Sequence, residues 1–341
     1  IGADGILKHA NIALFVPHSG CRHMCSFCDQ KSITGQHCRL TAQQVKDAVE
    51  TAQRTLHGAA QNAEIAFFGG SFTAIDRQYM LSLLEAAYPY VEKGQVSGIR
   101  ISTRPDAVDW EVLGLLRQYG VTSIELGAQS MDDSVLCANG RGHSAQDVEK
   151  ACALIHKAGF SLGLQMMTGL YKSSEALDLY TAQKICTLHP KTVRVYPTIV
   201  LRGTRLAQLY AEGLYTPPSL ESTVALCTQL LSLFEREGIR VIRLGLHSGE
   251  DLRSAYVAGP FHPALRQLCQ SSKMLCHVLE QIERKHFSCG PIVLRVHPKT
   301  LPKLTGQKKS NLQELARRGY PAQVYQDKAL AEDTVIVEVE K

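Results

Sequence analysis

Residues 11–245 alternate short, nearly unbroken apolar runs with longer stretches whose apolar positions recur every three or four residues. The runs at 11–16, 63–68, 99–102, 121–126, 161–167, 192–196 and 240–244 read as strands. The stretches at 41–56, 76–90, 109–118, 144–158, 174–188, 204–212 and 220–237 read as amphipathic helices. Thr41 stands three residues before Gln44, the spacing of a capping box at a helix start. Strands without polar alternation, separated by crossover helices, predict a parallel sheet buried on both faces. Six or seven such units fit an α/β fold of the partial (β/α)6 barrel type better than an open doubly wound sheet. In such barrels the chemistry sits on loops that follow the C-terminal ends of strands.

After 245 the pattern changes. Residues 246–289 read as a helical connector with one helix at 262–285. The remainder reads as a strand (291–297), a short helix (301–304), a basic loop, a helix (310–318) and two strands (322–326 and 334–339). The expected organisation is a barrel over 1–245, the connector over 246–289, and a small basic α/β domain over 290–341. Charge sharpens this division. The chain carries a net +5, but residues 284–328 hold ten Lys and Arg against two acids, leaving +8 there and −3 elsewhere.

Composition then narrows the class. At 341 residues, 45% hydrophobic and 20% charged, the chain is neither disordered nor fibrous. No apolar run approaches the roughly 20 residues that span a bilayer, so no membrane partner is expected. The start, Ile1-Gly2-Ala3-Asp4-Gly5, shows no basic stretch followed by an apolar one, which predicts no secretory leader. Eleven cysteines, an odd number, are scattered along the chain. They predict reduced thiols and a cytoplasmic protein rather than a disulfide scaffold. Cys137, Cys152, Cys186, Cys227, Cys269 and Cys276 fall at helical positions and are expected to be small core residues. Cys38 and Cys289 have no assignment.

The other three cysteines stand together in Gly20-Cys21-Arg22-His23-Met24-Cys25-Ser26-Phe27-Cys28, on the loop after the first strand. Three thiolates at C-x3-C-x2-C spacing can hold three irons of a cubane and leave the fourth open for a small ligand. A zinc site would need a fourth ligand, which Cys38, His18 or His23 would supply. Cys25 and Cys28 alone form a C-x-x-C pair that would suit a redox dithiol, although that leaves Cys21 without a role.

C-x3-C-x2-C after the first strand of a β/α barrel resembles the signature of the radical S-adenosylmethionine (radical SAM) superfamily. The second strand continues the resemblance: Phe67-Phe68-Gly69-Gly70-Ser71-Phe72-Thr73 is similar to the family's glycine-rich SAM-binding segment. Within the superfamily the chain resembles the radical SAM domain of the Elongator catalytic subunit family. The likeness runs in order through Ser102–Asp106, Ile124–Ser130, Asn139–His143, Gln165–Leu170 and Arg194–Thr204, and covers roughly 10–245.

That resemblance implies a set of roles. Cys21, Cys25 and Cys28 would ligate a [4Fe-4S] cluster. Phe27 would lie beside the adenine of SAM, and Gly69, Gly70 and Ser71 would form the segment that meets its methionine part. Gln129 would face the ribose, and Arg141 would approach the SAM carboxylate. Ser102 stands where the family usually has Glu, and Gln165 where related coproporphyrinogen oxidases have an acid. The plainer alternative for each polar residue is surface or core hydrogen bonding. Arg104 and Asp106 are alternatively read as serving the next helix, with Asp106 as its cap. The implied reaction is one-electron cleavage of SAM to a 5′-deoxyadenosyl radical that abstracts hydrogen from a substrate, with an electron donor such as flavodoxin or ferredoxin. The Elongator subunit also has an acetyltransferase domain, for which the 96 residues after 245 are too few.

The tail over 292–326 resembles the β-α-α-β core of a KH RNA-binding module. Gly306-Gln307-Lys308-Lys309 stands where that fold has its GXXG loop, with Lys309 in place of the last glycine. Gly306, Lys308 and Lys309 are thus candidate RNA contacts, and Ser310 is expected to cap the second helix. The readings carried forward are a radical SAM enzyme that modifies RNA, with tRNA as a candidate, and a radical SAM enzyme acting on a small molecule or peptide with the tail as a lid. A third is a non-catalytic RNA-binding protein with a structural metal.

Overall fold

The computed structural model describes residues 10–16, 25–28, 38–56, 59–246 and 249–339. It divides into two compact units, Ile1–Pro218 with Phe234–Pro260, and Ser219–Leu233 with Phe261–Lys341. Along the chain the elements begin β1 (Ala10–Val16), α1 (Ala42–Leu56), β2 (Ala63–Gly69), α2 (Arg77–Glu92), β3 (Gly98–Thr103), α3 (Trp110–Gln118), β4 (Val121–Gln129), α4 (Asp133–Ala138), α5 (Ala145–Lys157), β5 (Ser161–Thr168) and α6 (Glu175–Thr187). They continue with β6 (Thr192–Pro197), β7 (Val200–Leu201), α7 (Arg205–Ala211), α8 (Leu220–Arg236), β8 (Arg240–Leu244), α9 (Glu250–Ala255) and β9 (Tyr256–Ala258). The last elements are α10 (Leu265–Arg284), β10 (Ile292–Val296), α11 (Leu301–Thr305), α12 (Ser310–Arg317), β11 (Ala322–Gln326) and β12 (Val335–Val339). The pattern did not announce α4, α9 or the β7–β9 ribbon.

Seven strands pair in parallel in the order β1-β2-β3-β4-β5-β6-β8. The sheet curls into a half-barrel, so the expected fold is the observed one. Helix starts follow local chemistry. Asp76, Asp109, Asp132, Ser144, Ser174 and Thr204 each accept a hydrogen bond from a first-turn N–H. Thr41 and Gln44 bond reciprocally, at 2.9 and 3.2 Å, as a capping box.

The two faces of the sheet differ. Alternation puts Ile99 and Ile101, Ile124 and Leu126, Leu162 and Leu164, and Val193 and Val195 on one face, all buried. Arg100, Glu125, Gln165 and Arg194 take the other. Arg100 reaches Glu64 at 2.7 Å and Glu125 at 3.0 Å. Arg194 meets Glu125 at 2.8 and 3.1 Å, and Gln165 donates to it at 3.1 Å. Burial pushes the Glu64 carboxyl up, but Arg100 and hydrogen bonds from Ser123 and Thr122 overcome this and hold it below its ordinary value. Strands that read as uninterrupted apolar runs therefore carry a buried ionic floor.

In the second unit the strand order is β11-β10-β12, with β10 parallel to β11 and antiparallel to β12. Helix α10, expected in a connector, belongs to this unit's core. Met274, Val278 and Ile282 form one stripe at i, i+4 spacing and pack with Ile292, Leu294, Val296, Leu304, Leu315, Val335 and Val337. The expected concentration of positive charge is reduced by tertiary contacts. Lys299 pairs with Glu332, Lys303 with Asp333 and Arg295 with Glu338, acids that follow the basic stretch and fold back onto it. Glu314 pairs with both Arg317 and Arg318 at 2.7 Å.

Candidate active site

Residues 25–28 follow β1 as a tight turn in which the Cys28 N–H donates to the Cys25 carbonyl at 3.1 Å. Both side chains are half-buried. Cys21, His18 and His23 lie outside the described residues, while Cys38 is exposed. Phe27 packs against a cluster of Val200, Leu206, Leu209 and Tyr215. Arg141, buried in the loop after α4, donates from Nη1 to Cys25 Sγ at 3.1 Å and from Nη2 to the Gly127 carbonyl at 2.7 Å. This places one guanidinium between the cysteine turn and the end of β4.

The glycine segment closes the other side of β1. The Gly70 N–H donates to the Val16 carbonyl at 2.9 Å. At Gly69, φ is +114°, and a β-carbon would stand 2.7 Å from that same carbonyl oxygen. Only glycine permits that close approach of the two strand ends. Ser71 is engaged within the protein: its hydroxyl lies 2.8 Å from Thr103 Oγ1 and accepts from the Arg104 N–H at 3.1 Å.

At the end of β4 the pairing slips between Gly127 and Gln129. Gln129 takes a left-handed φ of 66°, which costs a non-glycine residue on the order of 1–2 kcal/mol. A β-carbon on Gly127 would stand 2.9 Å from Gln129 Nε2. Among the described residues, Ser102 Oγ, Gln129 Oε1 and Arg141 Nε are buried with no hydrogen-bond partner. A buried unsatisfied polar atom costs about 1–3 kcal/mol, so these three, on β3, at the end of β4 and in the loop after α4, suit a polar ligand that satisfies them. The residues present fit the SAM and cluster site that the sequence implies. Gln165 differs, since it donates to Glu125 and belongs to the ionic floor.

Several neighbouring residues are placed otherwise than expected. Arg104 and Asp106 form a two-point ion pair, at 2.8 Å on each arm, and it is Asp109 that caps α3, accepting from the Val112 N–H at 2.8 Å. Cys152, Cys227 and Cys269 are buried, whereas Cys137 and Cys276 are exposed: a helical period marks a helix without saying which side faces solvent. Periodicity also said nothing of His143, which sits buried with Nε2 3.2 Å from the Ala128 carbonyl. Burial, then the Arg141 charge, lowers its pKa to about 4, so the ring is neutral near pH 7. In the second unit, Gly306 (φ 72°) opens the turn between α11 and α12. Exposed Lys308 and Lys309 follow in left-handed conformations, with φ 51° and 61°. Lys309 is the cap residue of α12, and Ser310 is its first helical residue with no side-chain cap.

Residues 15–179 match the Radical SAM superfamily model, and residues 190–276 match the Radical_SAM C-terminal domain. The chain belongs to the radical SAM superfamily. It is an enzyme of that class, and the family implies an iron–sulfur cluster and SAM. This radical SAM chain is 26% identical to a tRNA uridine(34) acetyltransferase of Dehalococcoides mccartyi, over 65% of this chain and 53% of that protein. It is 28% identical to Elongator complex protein 3 of Homo sapiens, over 56% of this chain and 38% of that protein. The solved structure of the Methanocaldococcus infernus Elp3 with an N-terminal deletion shares the fold, with a TM-score of 0.62 at 21% identity. That likeness covers 82% of this chain and 64% of the other. The chain thus spans about half or less of the length of these two curated relatives. Among the described residues no helix is long and apolar enough to cross a membrane.

Proposed function

We propose that this radical SAM enzyme modifies RNA, with tRNA as its substrate class. The observation that supports the chemistry most is the Arg141 bridge from Cys25 to Gly127, set beside the partnerless buried atoms of Ser102 and Gln129. The RNA assignment is supported by relatives that act, by name, on tRNA uridine 34. The exposed lysine pair at 308–309 supports it further.

Cys21, Cys25 and Cys28 would hold the [4Fe-4S] cluster, and cluster and SAM, when bound, would supply one-electron reductive cleavage of SAM. The chain's own residues bind and orient. Gly69 and Gly70 carry no side chain that would bar the methionine part from this segment, and Phe27 would flank the adenine. Gln129 would offer Oε1 to the ribose, while Ser102 and Arg141 would hold the amino-acid end. Ser71 ties the β2 and β3 loops together, and Gln165 with Glu125 closes the floor against water. An electron donor such as flavodoxin or ferredoxin would supply the electron. Gly306, Lys308 and Lys309 take the RNA backbone, where the glycine permits close approach and the lysines neutralise phosphate.

The test is anaerobic reconstitution followed by reduction with SAM and bulk tRNA. The parent should release 5′-deoxyadenosine and leave a new nucleoside detectable by mass spectrometry, and Cys25→Ala should do neither. A reducible cluster that releases no 5′-deoxyadenosine refutes the chemistry. Lys308→Glu with Lys309→Glu should weaken tRNA binding and flatten its dependence on salt. Unchanged binding refutes the RNA contact.

A further inference from the structure

We propose that Asn139 is the positioning residue that fixes the span between Cys25 and Cys28, an inference that rests on the cluster reading above. Asn139 is fully buried, directly after α4. Its side chain has one acceptor and one two-proton donor, and all three bonds are made. Oδ1 accepts from the Ser26 hydroxyl at 2.6 Å, and Nδ2 donates to the carbonyls of Val135 at 2.8 Å and Tyr171 at 2.9 Å. Its backbone carbonyl accepts from the Ser26 N–H at 3.0 Å. The remaining polar group of Ser26, its carbonyl, accepts from the Leu206 N–H at 2.8 Å in the first turn of α7. Every polar group of the residue after Cys25 is therefore held, two of them by Asn139.

The consequence follows from chain entropy. An unrestrained loop residue loses about 1–2 kcal/mol of backbone freedom when it is ordered, and a loop that must order on taking up iron sets that cost against binding. Here Asn139 after α4 and the first turn of α7 converge on Ser26, and the loop after β5 holds Asn139 in turn, so the cysteine turn is ordered by the protein itself. No other residue of this size offers an acceptor to Ser26 and two donors to the opposed carbonyls. Asp keeps the acceptor and loses both donors, and Ala loses all three bonds.

The experiment compares the reconstituted full chain with Asn139→Ala, Asn139→Asp and Ser26→Ala, without SAM or substrate. It reads iron and sulfide per chain, the rate of iron loss to a ferrous chelator, and the unfolding temperature of each iron-free form. Both Asn139 variants should lose iron on the order of 10–100-fold faster than the parent, the range seen when outer-shell partners of a metal site are removed. Ser26→Ala, which keeps the backbone bonds, should fall between them and the parent while its iron-free form unfolds at the parent's temperature. Parent-like iron retention in Ser26→Ala, or in the Asn139 variants, overturns the proposal. A parent that takes up no cluster overturns the cluster reading itself, and this inference with it.

Discussion

Glu125→Gln changes one atom type at the centre of the barrel floor, and the network predicts a large effect. The carboxylate is 1% exposed and receives Arg194 through two hydrogen bonds, Arg100 through one and Gln165 through another. After the substitution Arg100 keeps Glu64 at 2.7 Å, but Arg194 loses this carboxylate and keeps the Phe68 ring, 4.8 Å from its guanidinium carbon, and its hydrogen bond with the Tyr196 hydroxyl. Leaving a buried charge without its partner costs about 3–5 kcal/mol. For a unit of this size each kcal/mol shifts the melting temperature by about 2–4 °C, so a fall of roughly 10 °C is expected. Thermal unfolding of the iron-free chain, followed by far-UV circular dichroism, measures it. Adding Arg194→Met removes the stranded charge and should restore at least half of the loss. A single variant that costs less than about 1 kcal/mol, or a double variant equal to the sum of the singles, would refute the reasoning.

Two further predictions concern loops at the site's rim. Asp178 accepts from the Gly169 N–H at 2.8 Å and the Ser173 hydroxyl at 2.6 Å, and burial pushes its carboxyl up to about 6 in spite of them. A group raised on folding stabilises fully below its unfolded value near 4 and loses that contribution as pH rises through about 6. The melting temperature should therefore fall across pH 4–6 more steeply in the parent than in Asp178→Asn, and parallel profiles would contradict this. Gly69→Ala forces a β-carbon to within 2.7 Å of the Val16 carbonyl and should cost roughly 2–4 kcal/mol. Gly94→Ala, at φ 65° with open space around it, should cost only about 1–2 kcal/mol. Equal melting temperatures for the two variants would contradict the steric account.

Legibility in the sequence followed the range of the interactions involved. Helix caps such as Thr41 with Gln44 were readable because both partners lie within one turn, yet Asp109 rather than Asp106 caps α3. A shift of three residues was enough to mislead, because Arg104 captures the nearer acid. The paired cysteines and Gly69-Gly70 were readable because each motif is contiguous. Glu125 and Arg194 were not, because their charges cancel across strands 69 residues apart. The basic tail was overdrawn for the same reason, since Glu332, Asp333 and Glu338 neutralise it only once β12 returns beside β10.

The sequence by itself determined the order of the seven parallel strands and their crossover helices and the place of the cysteine loop, because periodicity and motif spacing act over a few residues. Only the tertiary structure decided what touches that loop. Arg141 reaches Cys25 across 116 positions, and Asn139 reaches Ser26 across 113. Such contacts depend on the curl of the sheet, which brings the ends of β1 and β4 toward each other, and a linear pattern carries no record of that curvature.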